Sequence, residues 1–470
     1  MSHDGIYAAV RDNTVDLDRP ALSDGRRRWS RRNLLSAAEA LATVLGRQAD
    51  PLVSELADPF AIAAVTLAAD LVGLPLVHRD PAVPAAFTGR VIRDASPAAR
   101  ADVDHASEDI DVAGLRLWLR AGQGTPTVSG LPAGAQVFLT SGSTGTPSMV
   151  VRDTACVLAD AERVAAVLAY APDRPVVCAA PLFHAYGFNY ALVAPLAYGS
   201  PVRLCPSRSL PSRLARAAHE STARILIALP AHYALMATDA PANTSRDAYA
   251  PLAEAVSAGA PLGPQVARTL SGRHAFALRN CYGSSEAGAV TLDPVHPSAQ
   301  AGEIGLPLPG VSARLEPTDS GHSELLLRSD SMAVGRIGPA GIEPLTRDGW
   351  YHTGDLVERL ATGRLRLRGR RGSVINVAGE KVLPADVEAV LARHPAVAGV
   401  RVLPTAHDTA GQVPVATVVV TEFVSTVELT RWCRDRLAPH QVPRAIELVD
   451  ALPASATGKV LAPVTPEEDR

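Results

Sequence analysis

The run Gln136-Val137-Phe138-Leu139 leads directly into the octet Thr140-Ser141-Gly142-Ser143-Thr144-Gly145-Thr146-Pro147. The run predicts a buried strand, and the octet consists almost entirely of glycine and small hydroxyl residues. Such residues let the backbone wrap around an oxyanion, so that N–H and O–H groups donate to phosphate oxygens. The octet does not end in Gly-Lys-Ser/Thr, which argues against a Walker A loop and a P-loop kinase. We therefore interpret it as a phosphate-binding loop of another kind.

Outward from this loop, short apolar segments alternate with segments of helix length. The predicted strands include Val176–Ala180, Val202–Leu204 and Ile225–Ala228, and Thr154–Leu168 is a predicted helix. Alternation of this kind is typical of an α/β fold with several parallel strands.

The pattern changes after Gly302. Glu324–Leu327 and Arg364–Arg368 predict strands of a β-rich subdomain, since the second alternates Arg and Leu as a half-exposed strand does. From about Ser373 a compact α+β unit follows. A chain of 470 residues is too long for one ordinary core, so we expect two domains, residues 1–370 and residues 371–470.

Charge and cysteine usage exclude several classes of protein. The net charge is −3 and the pI about 6.5, which argues against a nucleic-acid or membrane-surface binder. No apolar run is long enough to span a bilayer, so we expect no membrane insertion. The five scattered cysteines have no zinc-site spacing and fit a reducing compartment. Because the N-terminus carries no signal-peptide pattern, we expect a cytoplasmic protein.

Lys381 and Lys459 are the only lysines, and arginine supplies every other fixed side-chain cation. A lysine retained against that bias is a candidate for chemistry that a guanidinium cannot do, because its ammonium is a compact, mobile point charge. Lys459 follows Thr457-Gly458 near the C-terminus. We predict a functional role for Lys459, with a surface lysine after a turn glycine as the alternative.

With these features established, the octet resembles the phosphate loop of the adenylate-forming superfamily. That superfamily contains acyl- and aryl-CoA synthetases, the adenylation domains of peptide synthetases and firefly luciferase. Similar motifs recur in order from about Gly25 to Lys459. The resemblance implies an α/β fold: a large N-terminal domain of stacked, mostly parallel sheets with helices plus a β-rich subdomain, and a small, mobile α+β C-terminal domain.

The resemblance also implies a nucleotide site. Asn280–Glu286 is similar to a motif whose aromatic ring stacks on adenine, whose hydroxyl touches the α-phosphate and whose carboxylate helps to hold Mg²⁺. Ser257–Leu262 is similar to the loop that packs on adenine, and Trp350–Asp355 to the ribose-binding motif. The implied nucleotide-binding residues are Thr140, Ser141, Gly142, Ser143, Thr144, Gly145, Gly259, Ala260, Pro261, Tyr282, Gly283, Ser284, Ser285, Asp355 and Arg370, and those implied for Mg²⁺ are Glu286 and Thr144.

Three catalytic residues follow from the same resemblance: Lys459, Glu286 and His184. Lys459 would bridge the acid carboxylate and the α-phosphate and offset the repulsion between the two anions. It would reach the site by rotation of the small domain about a hinge at Gly372. The superfamily usually has Asp or Lys there, but glycine accepts the unusual backbone angles that rotation needs.

Phe183–Gly187 is similar to the gate of the acid pocket, which places His184 beside the acid. Phe183, Tyr186 and Phe188 would line a pocket for an aryl or short unsaturated acid, because aromatic rings pack against one another. Members that activate α-amino acids carry an Asp at this gate, and this chain does not. We therefore expect a small carboxylic acid without an α-amino group.

Asn376–Lys381 is similar to the loop that lines the thiol channel of the superfamily, so Ala378, Gly379 and Lys381 are its implied residues. The thiol would belong to CoA or to the phosphopantetheine of a carrier protein that acts in trans. One departure concerns the phosphates: the superfamily usually has Lys-Gly where this chain has Ser148-Met149. Either ATP binds more weakly, or an arginine substitutes, and Arg152 is the nearest in sequence.

Together these residues predict a two-step reaction. A carboxylate attacks the α-phosphate of ATP and pyrophosphate leaves; a thiol then attacks the acyl-adenylate and AMP leaves. Two alternatives remain at this point. The adenylate could pass to a non-thiol nucleophile such as an amine or nitrite, or the chain could be a catalytically impaired nucleotide-binding homologue, as Ser148 and Gly372 would suggest.

Overall fold

The computed structural model describes residues 4–46, 50–81, 90–95, 107–120, 130–140, 148–238, 247–295, 302–319, 321–338 and 341–452. The contacts between residues divide the chain into two compact units. The first comprises Met1–Pro297, Pro307–Ser312 and Arg328–Gly349, and the second comprises Ser298–Leu306, Ala313–Leu327 and Trp350–Arg470.

The described strands are β1 (Pro20–Ser23), β2 (Arg28–Ser30), β3 (Leu52–Glu55), β4 (Leu76–His78), β5 (Arg90–Asp94), β6 (Ser107–Val112), β7 (Leu115–Arg120), β8 (Gln136–Thr140), β9 (Ser148–Arg152), β10 (Val176–Cys178), β11 (Val202–Leu204), β12 (Ile225–Ala228), β13 (Glu254–Ser257), β14 (Ala277–Ser284), β15 (Gly288–Pro294), β16 (Glu303–Gly305), β17 (Ser312–Pro317), β18 (Ser323–Arg328), β19 (Gly335–Gly338), β20 (Gly341–Pro344), β21 (Thr346–Arg347), β22 (Trp350–Arg359), β23 (Leu365–Arg370), β24 (Ile375–Val377), β25 (Glu380–Val382), β26 (Val397–His407), β27 (Gly411–Val420) and β28 (Ala445–Leu448).

The described α-helices are α1 (Ile6–Arg11), α2 (Arg31–Leu45), α3 (Pro59–Val72), α4 (Thr154–Leu168), α5 (Ala185–Phe188), α6 (Ala194–Ala197), α7 (Pro211–Glu220), α8 (Pro230–Thr238), α9 (Pro264–Arg273), α10 (Pro384–Leu391) and α11 (Thr426–Arg434). A π-helical turn, Asn189–Val193, joins α5 to α6. None of the described helices has both the length and the apolar composition that crossing a lipid bilayer requires.

An eight-stranded sheet in the first unit has the order β15-β14-β13-β12-β10-β11-β1-β2. The strands from β14 to β1 are parallel to one another, and β15 and β2 pair antiparallel at the two edges. All residues of β10 and β12 are buried, as is typical of parallel strands with both faces covered. The predicted α/β fold is confirmed here.

A second sheet of this unit has nine strands in the order β20-β19-β9-β8-β4-β3-β5-β7-β6. Side chains alternate between its two faces: Phe138 joins the main core, and Val137 joins a smaller cluster on the other face. The main core contains residues of both sheets, such as Leu76 and Val176, so the two sheets share one apolar interior. Ten consecutive residues of α3, Phe60–Ala69, are buried, because this helix is apolar on all sides.

The second unit contains two further sheets. One has the strand order β16-β23-β22-β18-β17, with β21 beside β22, and the other has the order β25-β24-β27-β26, with β28 parallel to β27. Apolar residues of α10, α11 and the latter sheet form their own core cluster. Both the β-rich part after Gly302 and the α+β part after Ser373 thus fall in this unit, and the boundary between residues 370 and 371 stays a prediction.

His78 on β4 is a buried polar residue that gives the first unit a pH dependence. Its Nε2 lies 2.8 Å from Gln136 Oε1 and its ring stacks on Phe138 at 4.8 Å. Since Gln136 Nε2 donates to Gly134 O, its Oε1 is the acceptor, and His78 is neutral with the proton on Nε2. Burial lowers the pKa of His78 to about 4.

We predict that stability falls as the pH drops from about 6.5 to about 4, because the unfolded chain then binds a proton at His78 that the folded chain does not. The loss should approach about 3–4 kcal/mol, from roughly 2.5 pKa units at about 1.4 kcal/mol each. The measurement is the urea midpoint of wild type and His78→Gln, near pH 7 and at about pH 4.5. Equal pH dependence in the two proteins would contradict the assignment.

Candidate active site

The carboxyl ends of the parallel strands β10, β12, β13 and β14 meet at one edge of the eight-stranded sheet, which is where ligands bind in open α/β sheets. The register pairs Ser257, the last residue of β13, with Asn280. Gly259-Ala260-Pro261 therefore follow β13 at the edge where β14 continues toward Ser284. Gly259 has a φ of 91°, a conformation that favours glycine. The structure thus brings the two predicted nucleotide segments of this unit to one edge.

The segment Tyr282-Gly283-Ser284-Ser285-Glu286 is shaped by its contacts with β15. A Cβ on Gly283 would overlap with Gly288 O, so only glycine fits there. The Tyr282 N–H donates to Thr291 Oγ1 at 3.3 Å, and the Ala287 N–H donates to Ser284 Oγ at 3.2 Å. These contacts turn the chain at the end of β14 and direct Glu286 back toward the second sheet.

Glu286 is 7% exposed, and its carboxylate is paired with Arg336 on β19. Arg336 donates to Oε1 of Glu286 from Nη2 at 2.6 Å and from Nε at 3.2 Å. No group of three or more His, Cys, Asp or Glu side chains suited to a metal occurs among the described residues. Mg²⁺ takes few carboxylates when it also binds phosphate oxygens, so a single carboxylate such as Glu286 fits that metal.

Arg152 does not face a phosphate, because its guanidinium is buried in the first unit. The residue is 2% exposed and donates to Ser285 O at 2.9 Å, Ser331 O at 3.2 Å and Cys156 O at 3.3 Å. It also pairs with Asp160 at 3.4 Å. Arg152 is therefore no substitute for the missing lysine; it fixes the backbone beside Glu286.

His184 follows β10 and precedes α5 at the same edge. Its Nε2 is buried and has no hydrogen-bond partner among the described residues, and its ring lies 4.8 Å from that of Phe183. Burial lowers the pKa of His184, although the charge of Asp80 opposes this shift. The side chain is therefore a neutral imidazole near pH 7.

The predicted aromatic residues differ in their surroundings. Tyr186 Oη donates to Val256 O at 2.8 Å and lies 3.2 Å from Ala228 O, so its hydroxyl is located between the ends of β12 and β13. Phe188 is buried and packs against Phe138 and His78 at 5.2 and 4.8 Å. Phe188 is therefore part of the core, and the roles of Phe183, Tyr186 and Phe188 in an acid pocket stay predictions.

One polar residue of this region, Asn189, was not recognised from the sequence, and a second, Ser257, was predicted only as part of the adenine loop. Asn189 is 3% exposed, and neither of its amide atoms has a partner in the described part of the chain. The same holds for the buried Ser257 Oγ. Asn189 begins the π-helical turn, a feature frequent at functional sites. The one sequence feature that could have indicated Asn189 is its position as a single amide just before the apolar stretch from Tyr190 to Leu196.

In the second unit, the structure pairs the predicted residues Asp355 and Arg370. They are opposite each other on β22 and β23, and Arg370 Nε donates to Asp355 Oδ1 at 2.7 Å. The Asp355 N–H donates to Thr353 Oγ1 at 3.0 Å, and Thr353 Oγ1 donates to Leu325 O at 2.7 Å. The carboxylate is thus held in one orientation, and ribose binding by it stays a prediction.

The predicted thiol loop forms a tight hairpin between β24 and β25. Ala378 and Gly379 have positive φ angles of 50° and 98°, and the Gly379 N–H donates to Asn376 Oδ1 at 3.0 Å. Lys381 is exposed on β25. Gly372 lies in a 3₁₀ turn, Arg371–Ser373, where a Cβ would meet no atom within 4 Å. This conformation alone does not require glycine at 372.

The remaining predicted residues lie outside the described part of the chain. They are Ser141, Gly142, Ser143, Thr144 and Gly145 of the octet, and Lys459. Thr140 ends β8, and its hydroxyl donates to Ser148 O at 3.2 Å.

We predict that Arg152→Met destabilises the first unit by about 3–5 kcal/mol, because it leaves the buried Asp160 without its cation and removes donors from three carbonyls. Denaturant unfolding measures the change. Arg32→Ala, which breaks an exposed pair with Asp18, is the matched control and should change stability by less than about 1 kcal/mol. Equal effects of the two substitutions would refute the role of Arg152.

Comparisons with known proteins agree with this architecture. Residues 10–335 match the model of the AMP-binding enzyme family, and residues 386–459 match that of the AMP-binding enzyme C-terminal domain. The chain is 29% identical over 336 residues to a feruloyl-CoA synthase from Amycolatopsis, covering 69% of this chain and 68% of that protein. It is 30% identical over 336 residues to a 2-succinylbenzoate–CoA ligase from Bacillus velezensis, covering 70% and 67%.

A third relative, a 4-hydroxybenzoate–CoA/benzoate–CoA ligase from Rhodopseudomonas palustris, is 29% identical over 334 residues, and the match covers 68% of this chain and 62% of that protein. Among solved structures, ATP-bound MatB from Rhodopseudomonas palustris superposes with a TM-score of 0.81 at 18% identity, covering 98% and 97% of the two chains. The amide bond synthetase McbA from Marinactinospora thermotolerans gives 0.80 at 22%, covering 97% of each. These likenesses confirm the fold with a large N-terminal and a small C-terminal domain. By the extent of the family match, the chain belongs to the AMP-binding enzyme family.

Proposed function

We propose that this protein is an AMP-forming acid–thiol ligase. It joins a carboxylic acid to ATP as an acyl-adenylate, releases pyrophosphate, and transfers the acyl group to the thiol of CoA with release of AMP. The observation that carries the proposal is the position of Glu286 in the first unit. Its carboxylate is held by Arg336 beside β9, whose first residue, Ser148, directly follows the octet.

In the first step, the residues at the carboxyl edge of the eight-stranded sheet bind and orient the substrates. Tyr282 offers a ring for adenine, and Gly283 lets the backbone approach closely. Mg²⁺ bound to Glu286 would neutralise charge on the phosphates. Thr140, the first residue of the octet, and Thr144 would add hydroxyl donors to pyrophosphate as it leaves.

The acid is proposed to be an aryl or short unsaturated carboxylic acid that carries a polar substituent. The three relatives described above are named for feruloyl, benzoate and succinylbenzoate substrates. Phe183 would stack on the acid, and the unpaired atoms of His184, Asn189 and Ser257 would meet its polar groups. A buried polar atom without a partner costs about 1–3 kcal/mol, and a substrate hydrogen bond would recover that cost.

For the acceptor, CoA is favoured over a carrier protein by the names of the same relatives. The hairpin of Ala378, Gly379 and Lys381 is proposed to line the thiol channel, and Asp355 with Arg370 to hold the ribose. Transfer to an amine or nitrite has no comparable support, because the likeness to an amide bond synthetase is one of fold alone. Intact Glu286 and Asp355 likewise oppose an impaired homologue.

The experiment that tests the proposal is a pyrophosphate-release screen with ATP and Mg²⁺ over aryl, alkenyl, alkyl and α-amino acids, with and without CoA. We expect pyrophosphate release with aryl or alkenyl acids. When CoA is present, we expect acyl-CoA and AMP to form in equal amounts. Hydroxylamine in place of CoA traps an adenylate that has no thiol acceptor. An absence of acid-dependent pyrophosphate release over the whole panel would refute the proposal.

We predict that Lys459→Ala abolishes adenylate formation but spares thiolation of a supplied acyl-adenylate, because its ammonium would act only where two anions meet. The loss should reach at least about 100-fold, as for other groups that stabilise transition-state charge. Lys381→Ala, the other lysine of the chain, is the matched control and should leave adenylate formation intact. Equal losses in both half-reactions would contradict a role confined to the first step.

A further inference from the structure

The octet 140–147 contains no lysine or arginine, and Ser148 follows it. A loop of N–H and O–H donors alone leaves most of the charge of a triphosphate without a fixed counter-ion from the protein. A guanidinium is well suited to supply that charge, since its planar fork donates to two phosphate oxygens at once.

The strand register places an arginine on the face of the sheet that adjoins this loop. Thr140 and Ser148 are paired on β8 and β9, and Phe138 is paired with Val150. Val150 is paired in turn with Arg336 on β19. Directly opposed residues project to one face, as do residues two apart on a strand, so these five residues share a face. Val150 is about 7 Å from Ser148 along β9.

The contact with Glu286 orients Arg336. Arg336 donates from Nη2 and from Nε to the same oxygen of Glu286, Oε1. The Arg336 side chain is 43% exposed, while that of Glu286 is almost buried. A partly exposed arginine side chain is thus held against the carboxylate proposed for Mg²⁺, on the face of the sheet that ends at the octet.

Arg152 is the other arginine on this face that could bind phosphate, because it is two residues beyond Val150 on β9. It is almost completely buried, and its Nη atoms already donate to backbone carbonyls and Asp160. Of the two arginines, Arg336 is the one that a ligand can reach.

We propose that Arg336 binds the β- and γ-phosphates of ATP and provides the positive charge that residues 140–148 lack. Glu286 is the positioning residue that holds the guanidinium in place. The identity of the ligand as ATP rests on the proposed function; the chemistry that Arg336 recognises is that of a polyphosphate, and free pyrophosphate shares it.

The test compares two ligands that contain these phosphates, or an equivalent pair of phosphates, with one ligand that lacks them. Binding of ATP, AMP and pyrophosphate to wild type and Arg336→Ala is measured by calorimetry. We expect the Kd for ATP and for pyrophosphate to rise roughly tenfold or more, as for loss of a charge-assisted hydrogen bond, with the Kd for AMP unchanged. Arg32→Ala, on the surface, is the matched control and should leave all three unchanged.

A second-site variant sharpens the comparison. In the Arg336→Ala background, Ser148→Lys introduces a cation on the same face, next to the octet, and should restore much of the ATP affinity but not change AMP binding. A merely structural Arg336 would not be rescued in this way. Glu286→Gln, which keeps Arg336, should weaken pyrophosphate binding less than Arg336→Ala does.

Unchanged ATP affinity in Arg336→Ala, or an equal loss of ATP and AMP binding, would overturn the inference. If Arg336→Ala does not fold, Arg336→Lys replaces it in the test. A ratio of ATP affinity to AMP affinity below that of wild type supports the inference, and an unchanged ratio overturns it. A wild-type protein that binds ATP through Arg336 yet releases no pyrophosphate with any acid would refute the proposed function and leave the phosphate contact standing.

Discussion

The candidate site depends on the hydrogen bonds and the ion pair that the buried guanidinium of Arg152 makes. A cation removed from water is tolerated only when its N–H groups are paired, and here the partners are Asp160 and the carbonyls of Ser285, Ser331 and Cys156. Those carbonyls belong to separate segments, so pairing Arg152 draws them together. The residue after Ser285 is Glu286, so a contact within the core holds the backbone next to Glu286.

The two arginines of the nine-stranded sheet, Arg152 and Arg336, have different roles. Arg152 holds the backbone beside Glu286, and Arg336 contacts the Glu286 side chain. Both project from one face of the nine-stranded sheet, toward the loop that joins β14 to β15 in the eight-stranded sheet. Because each sheet is stiffened by its own ladder of hydrogen bonds, the distance between carboxylate and guanidinium is set by how the sheets pack, and only slightly by local loop flexibility.

The residues proposed to bind the acid have unpaired polar atoms, in contrast to Arg152. His184, Asn189 and Ser257 each contain a buried polar atom that the described part of the protein leaves without a partner. A core selected only for stability would replace these residues with apolar ones, because each unpaired atom costs about 1–3 kcal/mol. Their retention next to the parallel strand ends is the pattern expected where a ligand completes the hydrogen bonds.

Much of this protein follows from local sequence. The apolar periodicity of Thr154–Leu168 predicts α4 with its observed ends, and the octet after β8 identifies the superfamily, because both depend on neighbours in the chain. The roles of Arg152, Arg336 and Asn189 do not follow from local sequence. The two arginines depend on partners 50 or more residues away, Glu286 for Arg336 and Ser285 and Ser331 for Arg152, and Asn189 has no partner among the described residues. Sequence spacing made Arg152 the nearest substitute cation, whereas burial withdrew it from solvent, and the strand register placed the partly exposed Arg336 on the same face of the sheet. Tertiary packing determines which cation a ligand can contact, and this packing forms only when the two sheets assemble.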